Sequence, residues 1–125
     1  MRFSNYIYSV IWLIIILVIC SIPGDNIPST SILDKLYLDK VVHAFIYFVF
    51  FTLLKSDLIK DKRKFTTIFA FAFCVIYGIF IEILQGSFLT GRSAEINDVY
   101  ANISGVIIAV ISYKMLSNKL SFIKK

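Results

Sequence analysis

Four long stretches without a single Asp, Glu, Lys or Arg dominate this sequence of 125 residues. They cover residues 6–22, 41–54, 65–81 and 99–113. A helix needs about 20 residues to cross roughly 30 Å of hydrocarbon, and each stretch reaches that length only when polar residues at one end are included. Because backbone groups in lipid must be satisfied within their own segment, the sequence predicts four transmembrane helices. Their predicted bounds are about 6–22, 36–54, 65–85 and 98–116.

The composition excludes the main soluble alternatives. Apolar residues make up 58% of the chain and charged residues 17%, whereas soluble domains have roughly 45–50% and about 25%. The mean hydropathy is +0.82. A soluble enzyme, a disordered tail and a disulfide scaffold are therefore excluded. The predicted fold is all-α, a compact bundle of four transmembrane helices that forms a single domain over residues 1–125.

The first stretch has one alternative interpretation, a secretory signal peptide, because Arg2 precedes it. It is longer than the apolar core of a usual signal peptide, and no pair of small residues marks a cleavage site after it. The residues before Cys20 resemble a lipoprotein box only weakly, because Ile19 is too bulky for the position before a lipidated cysteine. We therefore expect an uncleaved span.

Basic residues lie mainly on one side of the predicted bundle. The N-terminus, the 55–64 connection and the C-terminal tail contain ten basic and two acidic residues, and the segments on the other side contain three and six. By the positive-inside rule, both termini and the 55–64 connection face the cytoplasm, as in a multi-pass protein of the cytoplasmic membrane. The net charge of +5 then reflects topology and indicates no nucleic-acid partner.

Three predicted helices place polar residues at one depth. At 1.5 Å per residue from the basic boundary, Asp39 and His43 lie about 24 and 18 Å up the second helix. Asp98 and Asn102 lie at the same two heights in the fourth helix, and Glu82 lies about 27 Å up the third. Ionisable groups at such depth usually face the bundle interior, so we expect one polar pocket in the outer third of the membrane.

Helical spacing supports the same pocket. Tyr47 follows Asp39 and His43 at four-residue intervals, so the three share one helix face. Gln85 lies three residues after Glu82 and shares its face in the same way. The Tyr47 hydroxyl either donates a hydrogen bond into the pocket or lies at a helix contact.

Two small residues on the fourth helix, Gly105 and Ala109, lie one turn apart. Residues without bulky side chains let transmembrane helices approach closely. We therefore expect this stripe to contact a neighbouring helix.

Two cations accompany the predicted pocket. Arg92 is the only basic residue in the 86–97 connection, and Lys40 follows Asp39. A guanidinium can hold a phosphate or carboxylate through two hydrogen bonds, and Lys40 adds a second charge. The alternative for Arg92 is an internal salt bridge to one of three acids, which are Glu82, Glu95 and Asp98.

At these positions the sequence resembles the VanZ-like family of small bacterial membrane proteins. The matching motifs are Asp39-Lys40-x-x-His43-x-x-x-Tyr47, Tyr77-Gly78-x-x-x-Glu82-x-x-Gln85, Arg92-Ser93 and Asp98-x-x-Ala101-Asn102-x-x-Gly105. They follow one another over residues 39–109. The sequence departs from the family pattern at Ala44, where an aromatic residue is common, and at Ala109, where glycine is common. The resemblance implies a protein of the bacterial cytoplasmic membrane that is connected with the cell envelope, in a family named after a protein associated with teicoplanin-type resistance.

Three functions fit such a pocket. The first is a non-catalytic protein that binds an envelope lipid, a peptidoglycan-related ligand or a glycopeptide at the outer leaflet. Its predicted ligand-binding residues are Asp39, Lys40, Tyr47, Gln85, Arg92 and Asn102. The second is an enzyme acting on a lipid-linked or phosphate-bearing substrate, with His43, Glu82 and Asp98 as catalytic candidates. The third is structural, with the polar groups tying the helices together.

The sequence identifies no cofactor. His43, Glu82 and Asp98 carry the nitrogen and oxygen atoms that borderline metal ions accept. Their placement on three helices matches no dedicated metal-binding spacing, so no metal site is predicted from the sequence. A transporter is disfavoured, because four short helices offer neither repeats nor discontinuous segments.

Overall fold

The computed structural model describes residues 3–22, 38–88 and 94–123, with side chains as far as residue 115. A 3₁₀ turn, Phe3–Tyr6, leads into helix α1, which covers Ile7–Cys20. Helix α2 covers Leu38–Lys60, α3 covers Thr66–Phe88 and α4 covers Ile96–Ile123. The described part of the chain contains four helices and no strand, so the all-α prediction is confirmed.

Three of the helices are long and apolar enough to cross a membrane, namely α2, α3 and the Ile96–Met115 part of α4. The apolar helix at the start of the chain, Ser4–Cys20, is shorter. Large apolar side chains such as Phe45, Ile68 and Ile76 point outward and are more than half exposed. The chain is therefore a membrane protein, and a fourth span through α1 stays a prediction.

Helix α2 extends six residues beyond its predicted end near residue 54. The predicted span ends before Lys55, its first charged residue on this side, but in the structure the helix continues through charged residues. The Lys55 ammonium lies 4.0 Å from the centroid of the Tyr113 ring, and the Asp57 carboxylate accepts hydrogen bonds from Ser9 and Lys60. Helix α3 likewise ends three residues later than predicted, and α4 begins two residues earlier and continues past residue 116.

The turn after α2 reverses the chain within five residues. Lys62 adopts a φ of 55°, the left-handed conformation typical of the residue after a helix end. Its N–H donates to the Ile59 carbonyl at 3.0 Å, and the Arg63 N–H donates to the Leu58 carbonyl at 3.0 Å. This pair of bonds is a Schellman motif, which ends α2 and directs the chain into α3.

Helices α2 and α4 run in the same direction and approach closely. A Cβ added at Gly105 would lie 1.9 Å from the Ala44 carbonyl oxygen, so only glycine fits at this contact. About one turn before Gly105 on α4, the Asn102 side chain contacts the ring of His43, the residue next to Ala44. The predicted contact of the small-residue stripe is thus confirmed at Gly105, and it places the polar faces of α2 and α4 side by side.

Helix α1 runs antiparallel to α2 and is fastened by side-chain donors. The Trp12 indole N–H donates to the Ile46 carbonyl at 3.0 Å, and the Tyr77 hydroxyl of α3 donates to the Leu13 carbonyl at 2.9 Å. In the middle of the bundle the core is aromatic, where Phe50 packs edge-on against Tyr47. The buried charged groups therefore lie toward the two ends of the bundle.

Candidate functional site

One end of the bundle holds a group of polar side chains that we call the histidine cluster. Helix α2 contributes its first turns, α3 contributes its last turns, and α4 contributes its first turns together with the residue just before it. The members are Asp39, Lys40, His43, Glu82, Glu95, Asp98 and Asn102. The predicted convergence of polar residues from three helices is confirmed, whereas their role as a site stays a prediction.

His43 lies at the centre of this cluster and is buried. Its Nδ1 lies 3.1 Å from the Asn102 Oδ1 and 3.9 Å from the Glu82 Oε1. On the other side of the ring, Nε2 lies 3.7 Å from the Asp39 Oδ1 and 3.9 Å from the Asp98 Oδ2. Because the amide oxygen of Asn102 only accepts, the short contact assigns a proton to Nδ1.

Lys40 is surrounded by carboxylates. Its ammonium lies 3.0 Å from the Asp39 Oδ2 and 2.9 Å from the Glu95 Oε2, and it also contacts the Asp98 Oδ1. Three carboxylates therefore share one ammonium, which is not available as an isolated anion-binding charge. To hold a phosphate, as predicted, the Lys40 ammonium would have to give up contacts with these carboxylates.

Three buried polar atoms in or next to the histidine cluster have no hydrogen-bond partner among the described residues. They are the Glu82 Oε1, the Asn102 Nδ2 and the Tyr47 hydroxyl. Glu82 is only 3% exposed, and its other oxygen accepts a 3.4 Å bond from the Glu95 N–H. A buried polar group without a hydrogen-bond partner lowers the stability of the fold. Native structures therefore rarely contain a buried polar group that bonds to neither protein, water nor ligand.

Gly78 of α3 makes room beside two of these atoms. A Cβ at this position would lie 3.3 Å from the Asn102 Nδ2 and 3.4 Å from the Tyr47 ring. Both neighbours are flexible side chains, and a methyl group there would push them by a few tenths of an ångström. Gly78 therefore sets how closely α3 approaches the unpaired groups of α2 and α4.

The histidine cluster is open at its rim. The Asp39 side chain is 55% exposed and that of Glu95 is 51% exposed, while His43 and Asp98 lie beneath them. Asp39 and Asp98 are in the first turns of α2 and α4, where the positive ends of two helix dipoles stabilise carboxylates. The helix dipoles partly explain why Asp39 and Asp98 lie at these positions. They do not explain why Glu82 is buried near the C-terminal end of α3.

Another predicted ligand-binding residue, Gln85, is bonded outside this cluster. The Gln85 amide donates at 3.2 Å to the Cys20 carbonyl, which ties α3 to the end of α1. Arg92 lies outside the described residues, so neither of its predicted roles is tested.

A second group of polar residues lies at the opposite end of the bundle and is called the turn cluster here, because it surrounds the α2–α3 turn. Its members are Tyr6, Ser9, Asp57, Lys60, Asp61 and Arg63. The Asp57 Oδ2 accepts from the Ser9 N–H at 3.3 Å and from the Ser9 hydroxyl at 2.9 Å. The Asp57 Oδ1 accepts from the Lys60 ammonium at 3.1 Å. Asp57 thereby provides an acceptor for the first turn of α1, whose N–H groups have no partner within the helix.

Asp61 completes the turn cluster at the surface. The Tyr6 hydroxyl donates to its Oδ2 at 3.0 Å, and the Arg63 Nε donates to the same oxygen at 2.9 Å. The hydrogen bond from Tyr6, followed by that from Arg63, holds the pKa of Asp61 below its usual value.

Sequence reasoning missed the burial of Asp57, which it counted only as a charge in a connection. A signal was available, because Asp57 lies fourteen residues after His43. Fourteen residues make two heptads, so the two side chains share one face of α2. That face continues through the buried Tyr47, Phe50 and Leu54.

The two ends have different chemical capacities. In the turn cluster the carboxylate oxygens are occupied by donors of the chain itself. In the described histidine cluster, four carboxylates face one ammonium and one imidazole, and a buried oxygen stays unpaired. Such a site can accept hydrogen bonds from a ligand, hold a cation, or move a proton through His43.

Comparison with known proteins identifies one family. The sequence model of the family described as VanZ/LLP1 matches residues 4–117, which includes α1, α2, α3 and most of α4. No curated protein and no solved structure matches the chain.

Proposed function

The chain belongs to the VanZ/LLP1 family, and from the geometry of its histidine cluster we propose that it binds the headgroup of an envelope lipid. In this proposal it is a multi-pass protein of the bacterial cytoplasmic membrane, and the histidine cluster is the binding pocket. Lipid-linked peptidoglycan precursors belong to the same ligand class, because they join a polar headgroup to an apolar chain.

The observation that carries this proposal is the unpaired oxygen of the buried Glu82. If the polar residues served only to tie the helices together, they would satisfy one another, as they do in the turn cluster. Instead, the Glu82 Oε1, the Asn102 Nδ2 and the Tyr47 hydroxyl stay without partners. A ligand that enters this end supplies the missing donors and acceptors.

Charge distribution supports an outer-leaflet location for the pocket. The basic 55–64 connection and both termini are on the cytoplasmic side by the positive-inside rule. The histidine cluster lies at the other end of the same helices, so it faces the outer leaflet. Outward-pointing apolar residues of α2 and α3 beside the cluster, such as Val42 and Ile83, provide the lipid-facing surface along which a headgroup arrives.

The chemistry of the polar atoms at this end, buried in Glu82 and Asn102 and exposed in Asp39, favours a headgroup with hydrogen-bond donors. Glu82 and Asp39 offer carboxylate oxygens, which accept from ammonium, hydroxyl and amide groups. The amide of Asn102 offers a donor for a phosphate or carbonyl oxygen of the same ligand. A phospholipid or lipid-linked amino sugar carries both kinds of group.

A direct test is to measure lipid retained by the full-length protein in nanodiscs. Native mass spectrometry would compare phosphatidylglycerol, phosphatidylethanolamine and a polyprenyl pyrophosphate, with teicoplanin added in a separate series. We expect one lipid to remain bound to the wild type and to be lost from Glu82→Gln. Asp57→Asn is the matched control, because it neutralises a buried carboxylate at the opposite end, and it should retain the lipid.

Two results would contradict the proposal. Equal retention by the wild type and Glu82→Gln would mean that the pocket does not hold the headgroup. Saturable binding of teicoplanin that no lipid competes with would assign the pocket to a glycopeptide and connect the chain with resistance.

The second candidate is an enzyme acting on a lipid-linked or phosphate-bearing substrate, and the setting of His43 favours it. Asn102 fixes one ring nitrogen at 3.1 Å, and the free side of the ring faces the pocket rim. A fixed imidazole beside the carboxylates of Glu82 and Asp98 is suited to proton transfer. Release of a product from a bound lipid by the wild type, but not by a folded His43→Ala variant, would favour catalysis over binding.

A further inference from the structure

The arrangement around the His43 Nε2 is that of a ligand set facing an open centre. The Asp39 Oδ1 lies 3.7 Å from this nitrogen and the Asp98 Oδ2 lies 3.9 Å from it. Asp39, His43 and Asp98 each offer one ligand atom, and these three atoms lie within 4.8 Å of one another. The distances are too long for hydrogen bonds and too short for three unrelated surface groups.

With its proton on Nδ1, a neutral His43 presents Nε2 to the two aspartates as a possible metal ligand. The Asn102 Oδ1 accepts at 3.1 Å from the Nδ1, so in the neutral ring Nε2 carries a lone pair. That lone pair then faces two carboxylate oxygens, and all three atoms are acceptors. A positive ion between them turns three repelling acceptors into three ligands.

Lys40 does not fill this position. Its ammonium contacts the Oδ2 of Asp39 and the Oδ1 of Asp98, which are the opposite oxygens of the two carboxylates. Each carboxylate therefore directs one oxygen to Lys40 and the other toward His43. Lys40 is placed to orient the two carboxylates, as partners of metal ligands commonly are.

Glu82 supplies a second, independent indication. Its buried oxygen without a partner lies 3.9 Å from the His43 Nδ1, on the side of the ring opposite the two aspartates. A carboxylate beside the outer nitrogen of a ligating histidine raises the basicity of the ring and is common in zinc sites. Because Asn102 accepts the Nδ1 proton, Glu82 adds negative charge beside the ring and no hydrogen bond to it.

We propose that Asp39, His43 and Asp98 bind one divalent transition-metal ion of the Zn²⁺ or Mn²⁺ class. One imidazole and two carboxylates suit transition-metal ions, with borderline Zn²⁺ favoured over the harder Mn²⁺, better than Mg²⁺ or Ca²⁺, which prefer oxygen alone. Tetrahedral ligands at about 2.1 Å from the ion lie about 3.4 Å apart, so the two separations from Nε2, 3.7 and 3.9 Å, close by a few tenths of an ångström. The ligand atoms of the two aspartates, which lie within 4.8 Å of each other, also move closer when an ion binds.

This metal set differs from the one considered in the sequence analysis, because the structure puts Asp39 in the place of Glu82 as a ligand. Asp39 and His43 are one turn apart on α2, and Asp98 comes from the parallel helix α4. The half-exposed Asp39 provides a route for the ion from the rim. Three protein ligands leave at least one open coordination position, which can take a phosphate oxygen of the headgroup in the proposed function.

The test uses metal alone, with the full-length protein in nanodiscs after removal of bound ions with a chelator. Isothermal titration calorimetry with Zn²⁺ and Mn²⁺ should give a stoichiometry of one ion per chain. Co²⁺ should give the visible absorption spectrum of a cobalt ion with a nitrogen ligand. Asp39→Asn should weaken binding at least tenfold and still fold, because this side chain lies half exposed in a first helical turn. Asp98→Asn should weaken it similarly.

Glu95→Gln is the matched control, because Glu95 is an equally exposed carboxylate that contacts Lys40 but not His43. It should bind the ion within about twofold of the wild type. Absence of stoichiometric binding, or an equal loss in Asp39→Asn and Glu95→Gln, would overturn the inference. A metal-stripped protein that binds no ion and still retains lipid would refute the metal site while leaving the proposed function intact.

Discussion

The two ends of this bundle bury carboxylates in different ways. In the turn cluster, both oxygens of Asp57 accept hydrogen bonds from the chain, two of which come from the start of α1. In the histidine cluster, one oxygen of the similarly buried Glu82 has no partner in the part of the chain that the structure describes. The first arrangement fastens two helices, whereas the second leaves binding capacity unused by the fold. The two clusters differ in whether the hydrogen-bonding atoms of their polar groups all have partners. This property distinguishes a structural cluster from a candidate site more clearly than burial does.

The largest expected effect follows from Gly105→Ala, which should disrupt the histidine cluster first. Its Cβ would overlap the Ala44 carbonyl oxygen, a backbone atom that cannot rotate away, so α2 and α4 must separate. We expect a loss of about 3 kcal/mol in the free energy of unfolding, near the upper end of overpacking costs. Chemical denaturation in detergent would measure it, with Ser104→Ala at the neighbouring exposed position as control.

The same variant tests whether the α1–α2 contact depends on the α2–α4 contact. Trp12 is the only tryptophan, and its indole bond to the Ile46 carbonyl reports on the α1–α2 contact. Its emission should stay unchanged in folded Gly105→Ala. A shifted emission at a concentration of denaturant where the protein is still folded would show that α1 moves when α2 and α4 separate.

Asp57→Ala should have the next largest effect, because it removes the acceptor for Ser9 and Lys60. A buried donor left without its acceptor costs about 1–3 kcal/mol, so we expect about 2 kcal/mol from the free energy of unfolding. Asp57→Asn keeps one acceptor oxygen for Ser9 and should recover part of that loss. An Asp57→Ala protein as stable as the wild type would remove the structural role assigned to the turn cluster.

Two tyrosines provide a smaller and closely matched comparison. The Tyr77 hydroxyl donates to the Leu13 carbonyl at 2.9 Å, whereas the Tyr47 hydroxyl is buried without a partner. Tyr77→Phe should therefore cost about 1 kcal/mol, and Tyr47→Phe should change the free energy of unfolding by less than about 0.5 kcal/mol. The reverse order would mean that Tyr47 has a structural partner and that Tyr77 does not.

The smallest expected effect is a pH dependence at Asp61. Hydrogen bonds from Tyr6 and then Arg63 lower its pKa in the folded protein, so the unfolded chain takes up this proton first as the pH falls. The resulting stability is present above the usual aspartate range and is lost as the pH drops through the lowered value. Tyr6→Phe should reduce the loss of stability below about pH 4. An unchanged acid transition would contradict the assignment.

Much of the fold followed from the distribution of charge along the sequence. Helices α2, α3 and α4 were predicted from charge-free runs, and the convergence of His43, Glu82 and Asn102 was predicted from their depth. Both arguments rest on the regular rise of 1.5 Å per residue, which holds for any helix in lipid. The close contact at Gly105 was predicted from residue size, because closely packed transmembrane helices need small residues at their contacts.

The remaining features depend on which side chains finally meet. The sequence could not show that Lys40 contacts three carboxylates, because it does not give the rotation of α2 relative to α4. It ended α2 near residue 54 because a charge usually marks a membrane boundary, whereas Ser9 of another helix pairs with Asp57. Which oxygen of Glu82 stays unpaired is likewise a property of the assembled bundle.

The most direct test of the central claim is the free energy of unfolding of Glu82→Gln, measured beside Asp57→Asn in the same nanodiscs. If the histidine cluster is a site, Glu82→Gln should be as stable as the ligand-free wild type or more stable, because it removes a buried charge with an unpaired oxygen. It should also lose the bound lipid. A loss of stability equal to or greater than that of Asp57→Asn would contradict the account and make the histidine cluster a structural tie.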